Sequence, residues 1–203
     1  MSTSAKVTAI ILAAGKSSRM RGPNKLLAEI GGEAIIRTVA RAALASRAAD
    51  VLVVTGNQAE SVRAALAGLD VRFCNNPDFA DGLSTSLRAG IGGVPPDSGA
   101  ALVLLGDMPA LSAAMIDRVI AAFNPAAGAE IVVATHGGQR GNPVLWPRRL
   151  FPALSSASGD VGGRAVMKEH AGVVAEVELG PAALLDLDTP EALAAAGGTF
   201  AKR

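Results

Sequence analysis

The sequence contains no tyrosine, one tryptophan, one cysteine and two histidines among its 203 residues. Aromatic residues make up 3% of the chain, too few for the stacking platforms of single-stranded nucleic-acid binders. The formal net charge of +1 lacks the basic excess of proteins that bind nucleic acid in bulk. These shortages argue against a nucleic-acid partner, and they leave room for a local cationic pocket.

The single cysteine, Cys74, excludes an intramolecular disulfide and suits a reducing cytoplasm, the location we expect. We interpret Cys74 as a small core residue rather than a catalytic thiol. His136 and His170 are too far apart for metal-ligand spacing, and we interpret His136 as a pocket-lining residue and His170 as a surface residue. The apolar segment near the N-terminus is about eight residues long, which is too short to span a bilayer. No membrane association is expected.

Half of the residues are hydrophobic, and they predict an aliphatic, alanine-rich core. Apolar segments separated by helical patterns predict strands at residues 7–14, 51–55, 71–74, 101–105, 131–134, 174–177 and 184–188. This alternation predicts an α/β fold with a mostly parallel central sheet. We expect one three-layer, Rossmann-like domain over residues 1–203. Ser112 and Thr189 are predicted to cap the helices that follow them.

The first apolar strand, residues 7–14, runs directly into a glycine-containing basic loop, residues 15–25. Backbone N–H groups in such a turn converge on an anion, and glycine lets phosphates approach the backbone closely. Arg19 and Lys25 add positive charge at the place where a nucleoside triphosphate would carry its negative charge. We interpret the loop as a phosphate cradle; the alternative is an ordinary strand-to-helix loop with solvated charges.

The loop matches neither of two familiar phosphate motifs. GxxxxGK[ST] requires lysine directly after the second glycine, but Gly15 is followed by Lys16, and the next glycine is Gly22. GxGxxG requires glycines at alternate positions, which Ala13 and Ala14 before Gly15 do not supply. The loop is therefore neither a Walker A loop nor a dinucleotide fingerprint.

Polar segments also follow other predicted strands, and the ligands of open α/β sheets lie at the carboxyl ends of strands. The segments with this position are residues 15–25, 75–86, 106–107 and 186–188. Asp107 follows the strand at residues 101–105, where a carboxylate suits Mg²⁺ held jointly with nucleotide phosphates. The alternative for Asp107 is a cap of the next helix, although Ser112 is available for that position.

The stretch LAAGKSSRMRGPNKLL resembles the LAAGxSxRMGxxKLL motif of the MobA-like nucleotidyltransferases. Later stretches match the same family in order: NNPDFADGLSTSL, LLGDMPALS, RGNPVLWPRRLFPAL, SGDVGGRAV and LLDLDTPEAL. The resemblance is strongest to the molybdenum cofactor cytidylyltransferase branch, and it implies a fold of the nucleotide-diphospho-sugar transferase type. Arg21 stands where the family has glycine, and we expect it to shift the loop slightly or to add a phosphate contact.

The resemblance implies a Mg²⁺-dependent transfer of CMP from CTP to the terminal phosphate of molybdopterin, with release of pyrophosphate. The implied partners are a nucleoside triphosphate and a phosphorylated small-molecule acceptor. Asp107 and Asp188 are the implied metal ligands; the alternative for Asp188 is an acidic residue in a helix-start turn, and Asp186 is a weaker candidate ligand. Because this chemistry needs alignment and charge neutralisation, we expect Arg19 to neutralise the leaving β,γ-phosphates. Lys25 is expected between the α-phosphate and the attacking phosphate.

The nucleotide site is expected to combine the backbone of the first loop with polar side chains of later loops. Its expected residues are Leu12, Ala13, Ala14, Gly15, Lys25, Asn76, Ser84 and Ser86. The guanylyltransferase branch has LAGG where this chain has LAAG, so the methyl group of Ala14 favours a pyrimidine and CTP over GTP. The alternative for Asn76 and the two serines is that they form Asx or Ser turns.

The resemblance also implies a pocket for the acceptor. Its expected residues are Gly141, Asn142, Pro143, Gly159, Asp160 and Arg164. Arg164 stands at a predicted helix start, where it can hold an anion.

Two other functions stay open at this point. Nicotine blue oxidoreductase, an NAD(P)H-dependent enzyme, also resembles this family, but hydride chemistry does not require Lys25 or the Asp107–Asp188 pair. A third hypothesis is an accessory protein that carries the cofactor to a molybdenum hydroxylase without turnover. Such a carrier can lose Arg19 or Asp107, yet both residues are present.

Overall fold

A computed structural model describes residues 5–17, 20, 24–156 and 162–200 of the protein. The strands of its main sheet are β1 (Val7–Ala13), β4 (Asp50–Thr55), β5 (Arg72–Asn75), β6 (Ala100–Leu105), β7 (Ile131–His136), β8 (Gln139–Pro147) and β9 (Val174–Glu178). They lie in the order β5-β4-β1-β6-β8-β7-β9. Two short strands, β2 (Glu29–Ile30) and β3 (Glu33–Ala34), pair antiparallel in a separate hairpin.

The main sheet is mostly parallel, as predicted. The first strand, β1, pairs in parallel with both β4 and β6, and all of its residues are buried. In the part of the chain that the structure describes, β8 is the one strand of this sheet that runs antiparallel to its neighbours, β6 and β7, and β9 is parallel to β7. Burial on both faces explains why the central strands are continuous aliphatic runs.

Helices cover both faces of the sheet, which gives the predicted three layers. The helices are α1 (Ile35–Leu44), α2 (Ala59–Ala65), α3 (Leu83–Gly92), α4 (Ala113–Ala122), α5 (Phe151–Ser156), α6 (Gly162–Glu169) and α7 (Pro190–Ala195). Alternate residues of β1 point to opposite faces: Ile11 packs in the core with α1, α2 and α4, and Ile10 packs with α3, α5 and α6.

Both predicted helix caps are confirmed. The Ser112 side chain accepts a hydrogen bond from the backbone N–H of Met115 at the start of α4. The Thr189 side chain accepts one from Ala192 at the start of α7, with Pro190 in the first turn.

Two predictions about local structure are wrong. The polar, glycine-rich composition of residues 136–142 predicts a turn over that whole segment, but the turn is only Gly137 and Gly138, both with positive φ, and β8 begins at Gln139. Two glycines suffice because a two-residue hairpin turn needs positive φ at both positions. Residues 184–188 were expected to be a strand, but they form no strand and follow a 3₁₀ turn over Gly180–Ala183. None of the strands in the described residues pairs with this segment, so its apolar pattern alone does not make it a strand.

Within the described ranges, no helix has both the length and the apolar character that crossing a bilayer requires.

Candidate functional site

Three charged residues meet at the carboxyl edge of the sheet. The Lys25 ammonium donates hydrogen bonds to Asp107 Oδ2 and to Asp188 Oδ1. The Asp107 and Lys25 side chains are 10% and 14% exposed, and Asp188 is 28% exposed, so the cluster is sheltered and still reachable. Lys25 and Asp188 are 163 positions apart in the sequence, and the fold brings their side chains into direct contact.

The sheet and one backbone hydrogen bond bring the two carboxylates together. Asp107 lies two residues beyond the last residue of β6, and Gly106 extends the pairing with β1 by donating its N–H to the Leu12 carbonyl (3.0 Å). The N–H of Leu187 then donates to the Asp107 carbonyl (3.2 Å). This bond fixes the segment that carries Asp188 beside the end of β6.

Short polar contacts hold Lys25 in the basic loop. Asn24 Oδ1 accepts a hydrogen bond from the N–H of Leu26 (3.1 Å), and Ser17 Oγ accepts one from the N–H of Lys25 (3.3 Å). Ser17, which has a φ of +50°, also donates to Asn24 Oδ1 (3.3 Å). Leu26 is buried in the core, so the 3₁₀ turn that carries Lys25 is anchored to the sheet.

The electrostatics of the cluster favour charged Lys25. Burial acts to lower the pKa of Lys25, but the carboxylates of Asp107 and Asp188 outweigh it and hold that pKa above its ordinary value. Burial, and then the negative charges of Asp188 and Asp107, raise the pKa of the neighbouring Asp186. A further cation at this point would therefore be stabilised by several acidic groups.

The donor set fits a hard divalent cation that binds together with a ligand. Two carboxylates that share one ammonium nitrogen are near enough to share one metal ion, and carboxylate oxygens are the ligands that Mg²⁺ prefers. Among the described residues, no group of three or more histidine, cysteine or acidic side chains is arranged to hold a metal by itself. Magnesium commonly binds through one or two carboxylates and completes its coordination with phosphates and water.

A cavity of about 530 Å³, which we call the loop cavity, opens beside this cluster. Its polar wall contains Gly15, Lys16, Ser17, Lys25, Asp107 and Asp188, and its apolar wall contains Leu12, Ala14, Phe79 and Ala80. A Cβ added to Gly15 would meet no atom within 4 Å, so packing does not explain that glycine. Open space at this backbone position permits the close approach of a ligand. Ala13, by contrast, is buried in the core and does not line the cavity.

The three polar residues predicted for base and ribose lie in different places. Ser86 lines the loop cavity, and Ser84 lines a second cavity described below. Asn76 lines neither cavity and forms an Asx turn by accepting from the N–H of Asp78 (3.0 Å). Its amide donates to Ser86 Oγ (3.1 Å) and Thr85 Oγ1 (2.9 Å), so Asn76 holds the start of α3 in place.

The second cavity has a volume of about 520 Å³ and is lined by residues of β6, β7 and β8. We call it the strand cavity. Its apolar floor consists of Leu87, Val103, Val133, Val144, Trp146 and Met167. Charged and polar residues surround this floor, and they are Ser84, Arg140, Asn142, Arg164, Lys168 and Asp186. The two cavities adjoin, because Leu12, Leu83, Leu105, Arg164 and Asp186 line both.

Among the predicted acceptor residues, Gly141, Asn142 and Arg164 line the strand cavity, whereas Pro143 does not. Packing also explains why residue 141 is glycine, since a Cβ at this position would lie 2.0 Å from the Ala183 carbonyl oxygen. His136, interpreted as pocket-lining, lines neither cavity and contacts Glu178.

Sequence reasoning missed three residues of the strand cavity, which are Arg140, Trp146 and Lys168. Arg140 and Trp146 stand in the quoted stretch RGNPVLWPRRLFPAL, and Lys168 follows Arg164 at a spacing of four residues. That i, i+4 spacing puts both cations on one helix face, and it was the available signal. Arg19, Arg21, Gly159 and Asp160 lie outside the described residues.

Comparisons with known proteins agree on one family. The model of the MobA-like NTP transferase domain matches residues 9–173. The bifunctional protein GlmU of Sorangium cellulosum is 33% identical over 177 residues, which are 84% of this chain and 35% of that protein. The chain thus spans about a third of the length of that relative. Nicotine blue oxidoreductase of Paenarthrobacter nicotinovorans is 29% identical and is matched over 82% of its length and 80% of this chain.

Solved structures have the same architecture. Rv0371c of Mycobacterium tuberculosis superposes with a TM-score of 0.83 at 25% identity, covering 95% of this chain and 98% of that one. A structure of Rv0371c in complex with manganese gives a TM-score of 0.80 over 94% of this chain and 97% of that one. The nucleotidyl transferase Mth528 from Methanothermobacter gives a TM-score of 0.82 at 26% identity, covering 94% and 95% of the two chains.

Proposed function

The chain belongs to the family of MobA-like NTP transferase domains, and from this premise we propose that it is a Mg²⁺-dependent cytidylyltransferase. The proposed reaction joins CMP from CTP to the terminal phosphate of molybdopterin and releases pyrophosphate. A cytoplasmic location and a molybdenum hydroxylase as protein partner stay predictions from the sequence.

The observation that carries the proposal is the meeting of Lys25, Asp107 and Asp188 beside the open backbone of Gly15. A triphosphate needs both positive charge and a metal ion, and this cluster supplies an ammonium group and a carboxylate pair for the metal. Hydride transfer requires neither. The loop cavity is the proposed nucleotide site, and the adjoining strand cavity is the proposed acceptor site.

The reaction forms one bond and breaks one. A phosphate oxygen of the acceptor forms the new bond to the α-phosphorus, the bond from that phosphorus to the β-phosphate oxygen breaks, and pyrophosphate leaves with the electron pair. Asp107 and Asp188 would hold Mg²⁺, which supplies charge neutralisation for the triphosphate when bound. Lys25 contacts the α-phosphate from the loop cavity, and Arg19 neutralises the departing phosphates. Catalysis is then alignment and electrostatic stabilisation.

The preference for CTP rests on Ala14. Its side chain is buried on the apolar wall of the loop cavity, beside Phe79 and Ala80. A methyl group on this wall narrows the space for a base and favours the smaller pyrimidine. One methyl group discriminates by about 1–3 kcal/mol, so CTP is preferred and GTP is a poor substrate rather than an excluded one.

The acceptor assignment rests on the chemistry of the strand cavity. Its floor is apolar, and Arg140, Arg164 and Lys168 line it as cations. A flat organic body with a terminal phosphate suits this combination, and molybdopterin has that form.

The test is a panel of CTP, GTP and ATP with Mg²⁺ and molybdopterin, in which pyrophosphate release and the nucleotide adduct are measured. We expect release with CTP, less with GTP, and loss of release in Asp107→Asn. The matched control is Asp186→Asn, which removes an acid of the same cavity that makes no hydrogen bond with Lys25. Equal activity in wild type and Asp107→Asn would contradict the proposal.

The likeness to nicotine blue oxidoreductase favours one second candidate, an NAD(P)H-dependent oxidoreductase. The same panel therefore includes NADPH, followed by its nicotinamide absorbance. Oxidation of NADPH that Asp107→Asn leaves unchanged, without release of pyrophosphate from any triphosphate, would support this candidate instead.

A further inference from the structure

We propose that Arg164 binds both substrates at once, contacting the α-phosphate of the nucleotide and the attacking phosphate of the acceptor. This inference rests on the proposed function and deepens it, because it assigns the residue that aligns the two phosphates. The sequence suggested only an acceptor contact for this side chain.

The position of Arg164 distinguishes it from the other cations of the site. It lines the loop cavity and the strand cavity, whereas Lys16 and Lys25 line only the former, and Arg140 and Lys168 line only the latter. The transferred phosphate must pass between the two substrates, so it lies where the cavities adjoin. The other charged residue that lines both cavities is an acid, Asp186, which does not attract phosphate.

The hydrogen bonds and ion pairs of these cationic side chains also point to Arg164. The ammonium of Lys25 is bound by two carboxylates, and the guanidinium of Arg140 donates to Glu176 (2.8 Å). Arg164 forms no hydrogen bond or ion pair with any residue in the described parts of the chain. Its five N–H donors are therefore available to an anion without first breaking a contact with a described residue.

The helix that carries Arg164 is fixed to the core even though this side chain is exposed. Val166 and Met167 of α6 are buried, and a Cβ on Gly163 would lie 3.4 Å from the Trp146 ring. The base of Arg164 is thereby held in place while its guanidinium reaches the cavities. A planar guanidinium can bridge two phosphates, which an ammonium group does less well.

The contribution to the reaction is charge cancellation between two anions. As the acceptor oxygen bonds to the α-phosphorus and pyrophosphate departs, negative charge is concentrated on both phosphates at the junction. A cation that contacts both lowers their repulsion and stabilises the transition state more than either substrate alone. Removal of Arg164 should therefore reduce kcat and weaken the binding of both substrates.

The test is two-substrate kinetics on Arg164→Gln, Lys168→Gln and Lys16→Gln with CTP, Mg²⁺ and molybdopterin. Lys168 is the matched control, because it lies one turn further along α6, loses the same charge and lines only the strand cavity. We expect Arg164→Gln to lower kcat by about 10²–10³-fold. Lys168→Gln should raise only the acceptor KM, and Lys16→Gln should raise only the CTP KM.

Two outcomes would overturn the assignment of Arg164. One is a kcat of Arg164→Gln within about threefold of wild type, and the other is a change confined to the acceptor KM, as in Lys168→Gln. Because Arg164 is exposed and has no described partner, the unfolding temperature of Arg164→Gln should equal that of wild type.

A binding measurement separates this proposal from the proposed function. If wild type transfers no nucleotide, the proposed function fails, and Arg164 is then tested by calorimetry with Mg²⁺ and the α,β-methylene analogue of CTP. Arg164→Gln should bind the analogue about tenfold more weakly, the effect of losing one charged hydrogen bond, while Lys168→Gln binds it as wild type does. Equal affinity in wild type and Arg164→Gln would reject the contact with the nucleotide.

Discussion

The loop cavity and the strand cavity adjoin, but they are built from different parts of the chain. Several groups of the loop cavity stand in loops that follow strands, as the loop from Gly15 to Lys25 follows β1 and Asp107 follows β6. The strand cavity instead takes its floor from the middle of strands and from helices, as Val103, Val144 and Met167 illustrate. One wall of the loop cavity is polar because loop residues need not pack in the core, whereas the floor of the strand cavity is apolar because its residues belong to the hydrophobic core.

This contrast explains why strand direction places residues of the loop cavity but does not place the apolar floor of the strand cavity. A residue that follows a strand lies at the carboxyl edge of a parallel sheet wherever that strand is placed. A mid-strand residue reaches a cavity only if its neighbours leave the space above it uncovered. The two cavities therefore respond differently to substitution, and the following experiments test that difference.

The largest expected effect is on turnover, in the loop cavity. Lys25→Met should lower kcat with CTP by about 10²–10³-fold, because it removes the charge beside the α-phosphate. Lys16→Met lowers the charge of the same cavity by the same amount. The carboxylates of Asp107 and Asp188 bind Lys25 rather than Lys16, so the effect of Lys16→Met should be confined to the CTP KM. The rate of pyrophosphate release, followed as the CTP concentration is varied, gives kcat and the CTP KM of both variants. Equal losses of kcat would mean that charge alone, and not the position of Lys25, matters.

The second effect contrasts one glycine from each cavity. Gly141→Ala should destabilise the protein by about 1–3 kcal/mol, because the new Cβ collides with the Ala183 carbonyl oxygen. Gly15→Ala should change stability by less than about 0.5 kcal/mol, since its Cβ meets open space, and should weaken CTP binding. Denaturant unfolding and calorimetry measure these changes. A stable Gly141→Ala protein would show that the strand cavity tolerates backbone movement.

The third effect is on metal binding, measured with Mn²⁺ as the probe. Lys25→Met should bind Mn²⁺ about tenfold more tightly than wild type in the absence of nucleotide, because the ammonium no longer competes for Asp107 and Asp188. Electron paramagnetic resonance of free Mn²⁺ gives the affinity directly. Lys16→Met controls for general charge, and an equal gain in that variant would mean that Lys25 does not compete for the carboxylates.

The smallest expected effect lies outside the residues that line either cavity, where Glu178 of β9 contacts the turn between β7 and β8. The hydrogen bond from His136 lowers the pKa of Glu178, burial opposes it, and the N–H groups of Gly180 and Gly137 lower it further. A carboxyl whose folded pKa lies below its ordinary 4.5 adds stability above that pH and loses it as the pH falls.

Glu178→Gln should therefore lower the melting temperature slightly at pH 7, and the difference from wild type should shrink below pH 4.5. Glu60→Gln is the control, because that side chain is 94% exposed. Thermal melts at pH 3 to 8 measure the difference, and a constant gap across that range would contradict the role of the Glu178 charge.

Much of the fold, and the meeting of some candidate site residues, could be predicted from the sequence. Strands and helices alternate as their aliphatic periodicity indicates, and Ser112 and Thr189 cap helices because their hydroxyl groups precede helical segments. Lys25 and Asp107 could be proposed together because the loop that contains Lys25 and the turn that contains Asp107 each follow a strand of one parallel sheet. The segment at residues 184–188 could not be predicted, because whether an apolar run becomes a strand depends on a free sheet edge beside it.

The sequence by itself determined that a basic glycine loop and an acidic turn lie at the same edge of a parallel sheet, because strand direction alone sets that edge. Only the tertiary structure decided that β8 runs antiparallel to β6 and that its residues Gly141, Asn142 and Trp146 line the strand cavity. Only the tertiary structure placed Arg164 where the two cavities adjoin. The physical reason is that strand order and helix packing depend on contacts between distant residues, and no short stretch of chain contains both partners of such a contact.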